Sequence, residues 1–226
     1  AAQMLREGAA GRSGTQIAEE AASMGGGLGV GTGQHETTLG LSVLSEYADK
    51  AIGLIGDVAR KPDFPESEFS RVRDSLLRNL VVAKSQPQTA ADVALASTYY
   101  GPQHPYGRPI PTEAQLKGYT LDQVRSFYRA NFGARRARLY VAGQFDATAV
   151  KQAINLAFGD WEAGPERLRL PPQPQPGPKL ILVNRPDAAQ STMRIAVPAP
   201  IAGAASDLPF RVTNALLGGA FNSRIT

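Results

Sequence analysis

The spacing of apolar residues predicts helices over much of the chain. Ser13, followed three residues later by Gln16, forms a capping box, and apolar residues then recur at helical spacing until Gly25. Pro65 stands where proline is favoured, in the first turn of a helix, and Asp146 is placed to cap another. Together these signals predict helices over residues 13–25, 45–61 (capped by Ser45), 65–86, 90–100, 120–132 (opened by a capping box of Thr120 and Gln123), 146–158 and 208–217.

Apolar residues that alternate with polar or small ones predict strands. Two runs of period 2 between Leu28 and Val43 flank a turn near Gly33, which predicts a β-hairpin. Short apolar runs predict further strands at Arg138–Ala142, Lys179–Val183 and Ser191–Val197. Six prolines between Gly164 and Pro178 predict a stiff, extended linker. A hairpin, several helices and later strands in this order indicate an α+β protein.

Composition narrows the classes of protein without naming a function. The 226 residues are 42% hydrophobic and 19% charged, which indicates a soluble, globular chain. The net charge is +4, and one arginine cluster, at 135, 136 and 138, precedes an apolar run, so we predict no nucleic-acid partner. The absence of cysteine excludes disulfides, thiolate catalysis and Cys-ligated zinc. No run of the sequence approaches the ~20 apolar residues of a membrane span. These features do not distinguish a periplasmic from a cytoplasmic protein.

The two histidines and the glycine-rich stretch are candidate chemical groups, and both favour a structural interpretation. Neither His35 nor His104 has a His or Glu at ligand spacing on a helix, so we predict a structural hydrogen bond for His104. Gly25 to Gly33 lacks the G-K-[ST] of a phosphate-binding loop, and no predicted helix follows it.

Several segments carry a recognisable pattern when taken in order. They are Met4–Arg12, Gly26–Gly33, His104–Pro109 with Leu139–Asp146, and Leu216–Ile225. Together they resemble the pitrilysin/insulinase family of zinc metallopeptidases, including its mitochondrial-processing-peptidase branch. The resemblance covers essentially the whole chain and implies a mainly antiparallel sheet covered by helices. We expect an internal piece of a longer protein, with the latter part of a first peptidase-like domain over 1–163, the linker over 164–178, and the beginning of a second, similar domain over 179–226.

Active members of this family carry an inverted H-x-x-E-H motif, in which the histidines bind zinc and the glutamate activates a zinc-bound water. The resemblance places Gln3 at the second histidine and Ala2 at the glutamate, and the first histidine would precede Ala1. It places Asn79 at the more distant glutamate that completes the metal site. A methyl group and two neutral amides are poor substitutes, so the resemblance implies a non-catalytic member that holds no zinc of its own.

The glycine-rich strand is the second site that the resemblance implies. In active relatives the corresponding edge strand pairs with the substrate peptide by β-augmentation. Here that strand comprises Leu28, Gly29, Val30 and Gly31, and its glycines let another backbone approach closely. A plain edge strand without a ligand is the alternative, and both stay open.

Three functions are compatible with these features. The leading hypothesis is a non-catalytic subunit that pairs with an active H-x-x-E-H subunit, or with itself, to bind or enclose peptides. The second is a structural scaffold subunit without peptide affinity. The third is a zinc-dependent endopeptidase whose ligands lie outside this stretch of sequence.

Overall fold

A computed structural model describes residues 1–166, 170–172, 174, 177, 179–186, 188–220 and 222–224. Helices account for most of its regular structure. The α-helices are α1 (Ala2–Leu5), α2 (Gly14–Ser23), α3 (Ala48–Arg60), α4 (Glu66–Ser85), α5 (Pro87–Tyr100), α6 (Glu113–Gly118), α7 (Leu121–Asn131), α8 (Ala147–Phe158) and α9 (Asp207–Asn214). Shorter helical turns occupy Ser45–Tyr47, Pro105–Gly107, Ala134–Arg136 and Ala215–Gly219.

Within the described residues the strands form two small antiparallel sheets. Strand β1 (Gly8–Ala9) pairs with β2 (Arg12–Ser13). Strand β3 (Leu28–Thr32) pairs with β4 (Thr37–Leu41), which confirms the predicted hairpin. Helices combined with antiparallel pairs confirm the α+β class.

The predicted helix starts rest on hydrogen bonds that the structure contains. Ser13 Oγ accepts from the Gln16 N–H at 3.3 Å, and Gln16 Oε1 accepts from the Ser13 N–H at 2.8 Å. Thr120 and Gln123 form the same reciprocal pair, and Asp146 Oδ1 accepts from two backbone N–H groups at the start of α8. These bonds satisfy donors that a helix leaves free at its N-terminus, which is why short polar side chains begin helices here.

Several predicted elements are absent or displaced. The segments 138–142, 179–183 and 191–197 are not paired as strands. A strand requires a neighbour for its backbone hydrogen bonds, and these segments stay open to solvent, with Tyr140 and Leu180 each 86% exposed. Ser45 begins a short turn before α3 instead of capping that helix, and Pro65 occupies the N-cap position of α4, without a side-chain capping bond, instead of lying in its first turn.

Parts of the predicted linker, of the predicted second domain (residues 187, 221, 225 and 226) and of the last recognisable segment lie outside the described residues. In the proline-rich linker these are residues 167–169, 173, 175–176 and 178. In the last recognisable segment they are Phe221 and Ile225.

The core forms where the first four helices meet the β3–β4 hairpin. Its least exposed large side chains are Leu5 of α1, Ile17 of α2, and Leu54 and Val58 of α3. The inner face of the hairpin packs on this cluster, and α1 contacts both α4 and β3. Burial of the short helix α1 therefore fixes it beside the hairpin and against α4.

Helix α8 docks on α3 through a close approach at Gly56. A Cβ atom built at Gly56 would lie 3.0 Å from the Cβ of Ala157 on α8. Arg60, one turn further along α3, donates a hydrogen bond to the Ala157 carbonyl and pairs with Asp160 at 2.6 Å. The small residue and the arginine together set the spacing of the two helices.

Candidate functional site

Helices α1 and α4 carry the three positions that the resemblance assigned to a metal site. Ala2 is buried at 7% exposure and Gln3 is half-buried, both on α1, whereas Asn79 is exposed on α4. The two helices are in contact, so the fold brings these parts of the chain together. Within the described portions of the chain, no three residues of the His, Cys, Asp or Glu types are grouped closely enough to hold a metal ion.

Strand β3 has one paired edge and one open edge. Among the described residues its strand partner is β4, on one side. The Gly33 N–H donates to the Glu36 carbonyl at 2.9 Å and closes the turn, in the same register as the strands. Because hydrogen-bonded and non-hydrogen-bonded pairs alternate along antiparallel strands, Leu28, Val30 and Thr32 direct their N–H and C=O groups away from β4.

The two faces of the hairpin differ in their side chains. Leu28 and Leu41 are opposite each other and pack on the core, and Val30 shares their face by alternation. Gly29 is opposite Gly40, which leaves much of the other face without side chains. The glycines therefore leave one face of the hairpin with few side chains. The unpaired backbone groups at the open edge belong to the alternate residues Leu28, Val30 and Thr32.

An open groove of about 390 Å³ runs beside the first residue of β3. Its lining includes Leu28 and Ile17 together with the charged residues Arg6, Glu7 and Arg71. It continues along Glu7 and Arg71 into a second groove of about 680 Å³ near β1 and β2. The groove at the Leu28 end of β3 is therefore lined by both apolar and charged residues.

The charges in this groove are paired. The Glu7 side chain is 11% exposed, lies 3.5 Å from Arg6 Nε and forms an ion pair with Arg71. Arg71 also bonds Glu68 at 2.5 Å. The Glu68 hydrogen bond, followed by the charge of Glu7, raises the pKa of Arg71, so its guanidinium stays cationic. This arginine ties α4 to the segment that follows α1 and lines both grooves.

Both histidines lie near one tyrosine that the sequence patterns did not single out. His104 Nδ1 accepts a hydrogen bond from the Tyr106 N–H at 3.1 Å, which confirms a structural role for His104. The Tyr106 hydroxyl lies 2.9 Å from His35 Nε2, at the turn of the hairpin. These residues are 71 positions apart, and no local pattern relates positions at that separation.

No helix in the described ranges combines the length and apolar character that crossing a bilayer requires.

Two family models together match almost all of this chain. The model described as insulinase, peptidase family M16, matches residues 2–111, and the peptidase M16 inactive domain matches residues 118–226. An uncharacterized zinc protease of Mycobacterium tuberculosis is 28% identical over 223 residues, which are 95% of this chain and 50% of that protein. The chain spans about half the length, or somewhat less, of the curated relatives it matches.

Two solved structures share the fold. A peptidase M16 inactive domain from Pseudomonas fluorescens matches with a TM-score of 0.60 at 23% identity, over 76% of this chain and 42% of that one. A protease from Helicobacter pylori matches with a TM-score of 0.67 at 16% identity, over 77% and 42% of the two chains. The chain belongs to the pitrilysin/insulinase family of peptidases, family M16, and joins an insulinase-type segment to an M16 inactive-domain segment.

Proposed function

We propose that this chain is a non-catalytic M16 subunit that pairs with an H-x-x-E-H subunit and offers the open edge of β3 to peptides. The observation that carries the proposal is the contact between strand β3, whose other edge is paired with β4, and α1, the helix that the resemblance assigns to the metal motif. A partner that supplies the zinc would then act on a peptide held partly by this chain.

The three residues at the proposed metal positions do not fit a zinc ion. Zinc in proteins is bound by imidazole, thiolate or carboxylate, and Ala2 has no donor atom, whereas Gln3 and Asn79 offer neutral amides. Nor does Ala2 supply the carboxylate that activates water in active relatives. We therefore assign no hydrolytic step to this chain, and its contribution is to bind and orient.

Peptide binding would use the backbone groups of β3 that face away from β4. An extended peptide placed along this edge can exchange hydrogen bonds with Leu28, Val30 and Thr32, as in other cases of β-augmentation. Its side chains would point alternately to the glycine face and to the opposite face, and a groove lined in part by Leu28 adjoins that end of the strand. Because the bonds come from main chains, we expect affinity for extended peptides with little dependence on their sequence.

A proline substitution tests the edge directly. Val30→Pro removes an outward N–H while leaving the β3–β4 hydrogen bonds intact, and proline is tolerated on an edge strand whose N–H faces outward. Val30→Ala is the matched control, because it shortens the same side chain and keeps the N–H. With a fluorescent extended peptide and the assembled complex, we expect Val30→Pro to weaken binding about tenfold or more relative to Val30→Ala.

Equal peptide affinity of the Val30→Pro and Val30→Ala proteins would refute a binding role for this edge. Hydrogen exchange of the Gly33 amide, which bonds across the hairpin turn, and a urea unfolding curve for each variant establish that the hairpin and the rest of the chain remain folded. The comparison therefore separates a lost backbone donor from a lost fold.

Metal and cleavage assays separate the alternative functions. Zinc content by elemental analysis and cleavage of a quenched fluorescent peptide library are measured for the full-length protein, alone and with a zinc-binding M16 partner. We expect no stoichiometric zinc in this protein and cleavage when the partner is present. Chelator-sensitive cleavage by the protein alone would support the endopeptidase alternative, and assembly without any peptide affinity would support the scaffold alternative.

A further inference from the structure

We infer that Tyr106 is a positioning residue that fixes the tip of the β3–β4 hairpin and thereby the orientation of its open edge. The expected effect of Tyr106 on peptide affinity rests on the function proposed above, whereas its effect on the position of the hairpin tip does not. Two parts of the chain meet at Tyr106, the turn 33–36 and the loop 101–107 (the tyrosine loop).

The contact between these parts is specific in geometry. The Tyr106 hydroxyl lies 2.9 Å from His35 Nε2, and the two rings meet edge to face with centroids 5.3 Å apart and planes at 88°. Edge-to-face pairs and hydrogen bonds each contribute to stability, and both depend on ring orientation. The hydroxyl can either donate to or accept from this imidazole nitrogen, depending on the tautomer of His35.

The tyrosine loop is built to hold Tyr106 in place. His104 Nδ1 accepts from the Tyr106 N–H, and the Tyr100 ring packs edge to face on the Tyr106 ring at 5.2 Å. Gly107 is buried, and a Cβ atom at this position would lie 1.9 Å from the Gly101 carbonyl oxygen. Larger residues cannot occupy position 107 without moving this backbone, so the loop is a compact support for the ring.

The hairpin needs such a support because its two ends differ in packing. At its base Leu28 and Leu41 pack on the core, and the Leu44 N–H donates to the Met24 carbonyl at 3.1 Å. At its tip residues 32–36 are exposed. A strand edge held in one orientation loses less conformational entropy when a peptide pairs with it, and it therefore binds the peptide more tightly. The contact with Tyr106 supplies a second point of attachment, at the tip.

Hydrogen exchange of the full-length protein without peptide tests the attachment itself. Tyr106→Phe removes the hydroxyl and keeps the ring, and we expect the hydrogen-bonded hairpin amides of Gly31, Gly33 and Thr38 to exchange about 2- to 10-fold faster, as the loss of one exposed hydrogen bond implies. His35→Ala should have the same effect, and the double variant should add little to either. His35→Gln offers another polar side chain at the tip and should restore part of the protection.

A matched control removes a hydroxyl from an exposed tyrosine elsewhere. Tyr140 is 86% exposed, so Tyr140→Phe should leave exchange in the hairpin unchanged. The urea unfolding midpoint should differ little among all of these variants, because the lost bond lies at the surface. Unchanged exchange of the hairpin amides in Tyr106→Phe would overturn the inference.

Peptide affinity supplies the second measurement. If Tyr106 orients the edge, Tyr106→Phe should weaken binding of a fluorescent extended peptide by a factor similar to its effect on exchange. Faster exchange with unchanged affinity would overturn the role in orienting the edge. If the wild-type protein binds no peptide in its complex, the proposed function fails, and faster exchange in Tyr106→Phe would still support attachment of the tip.

Discussion

Two glycines on α3 offer a comparison between helix propensity and packing. Gly53 and Gly56 both lie inside this helix, and alanine at either position removes backbone freedom from the unfolded chain. A Cβ atom at Gly53 has no heavy atom within 4 Å, whereas one at Gly56 meets the Ala157 Cβ at 3.0 Å. We therefore predict that Gly53→Ala stabilises the protein and that Gly56→Ala destabilises it.

The magnitudes follow from two opposing contributions. Replacing glycine by alanine in a helix interior gains about 0.8–1 kcal/mol, and this gain is common to both positions. Overpacking in a well-filled contact costs typically about 1–3 kcal/mol. Ala157 Cβ is attached to its helix backbone and cannot rotate away, and Arg60, on the same helix as Gly56, holds that backbone against α3 by its hydrogen bond to the Ala157 carbonyl. The difference between the two variants in unfolding free energy should therefore be about 1–3 kcal/mol.

Urea denaturation followed by circular dichroism measures this difference, with the slope m checked for equality among the three proteins. In thermal unfolding a change of 1 kcal/mol corresponds to roughly 2–4 °C for a protein of this length. Equal stabilisation by Gly56→Ala and Gly53→Ala would show that α8 moves away at little cost. The close α3–α8 contact would then not be a constraint on the fold.

Other substitutions test the buried and capping contacts by the same unfolding assay. Leu54→Ala should cost about 2–5 kcal/mol because Leu54 is 2% exposed and leaves a cavity. Ser13→Ala should cost about 1 kcal/mol by removing the oxygen that accepts from the Gln16 N–H. Ser13→Asn should retain most of the wild-type stability, because its side-chain oxygen can accept the same bond. Tyr128→Phe should cost about 1 kcal/mol, since the hydroxyl donates to the Ala59 carbonyl at 2.7 Å. Burial raises the pKa of Tyr128, so its hydroxyl ionises at lower pH in the unfolded chain than in the folded one. The contribution of neutral Tyr128 to folding stability is therefore complete below pH ~10 and decreases as the pH rises above that value. Tyr128→Phe should remove this decrease.

Local signals in the sequence predicted the elements whose stabilising bonds are local. The capping boxes at Ser13 and Thr120 join residues three positions apart, and the hairpin joins runs that are adjacent in sequence. The strand prediction at 138–142 was wrong in the described structure because an apolar run does not specify a partner strand. Propensity describes one chain segment, whereas a sheet requires at least two.

The candidate site likewise contains residues that the sequence made recognisable and contacts that it did not. The edge residues from Leu28 to Gly31 were recognisable from their pattern and from the family resemblance, and the structure places them in β3. Which of them direct backbone groups outward depends on the register with β4, and the register depends on the turn that Gly33 closes. Tyr106 and Arg71 reach the site from distant parts of the chain, so their roles become visible when contacts are known. The division into domains at residues 163 and 178 stays a prediction.

The docking of α8 on α3 also bears on the order of folding events. The hydrogen bond between Arg60 and the Ala157 carbonyl closes a loop of 97 residues, whereas the hairpin and α2 form from neighbouring segments. Closing a long loop costs chain entropy before it gains contacts, so helices near the N-terminus can associate first. Substitutions at this helix pair should therefore act mainly on the unfolding rate, and detachment of α8 should be an early step when the native protein opens.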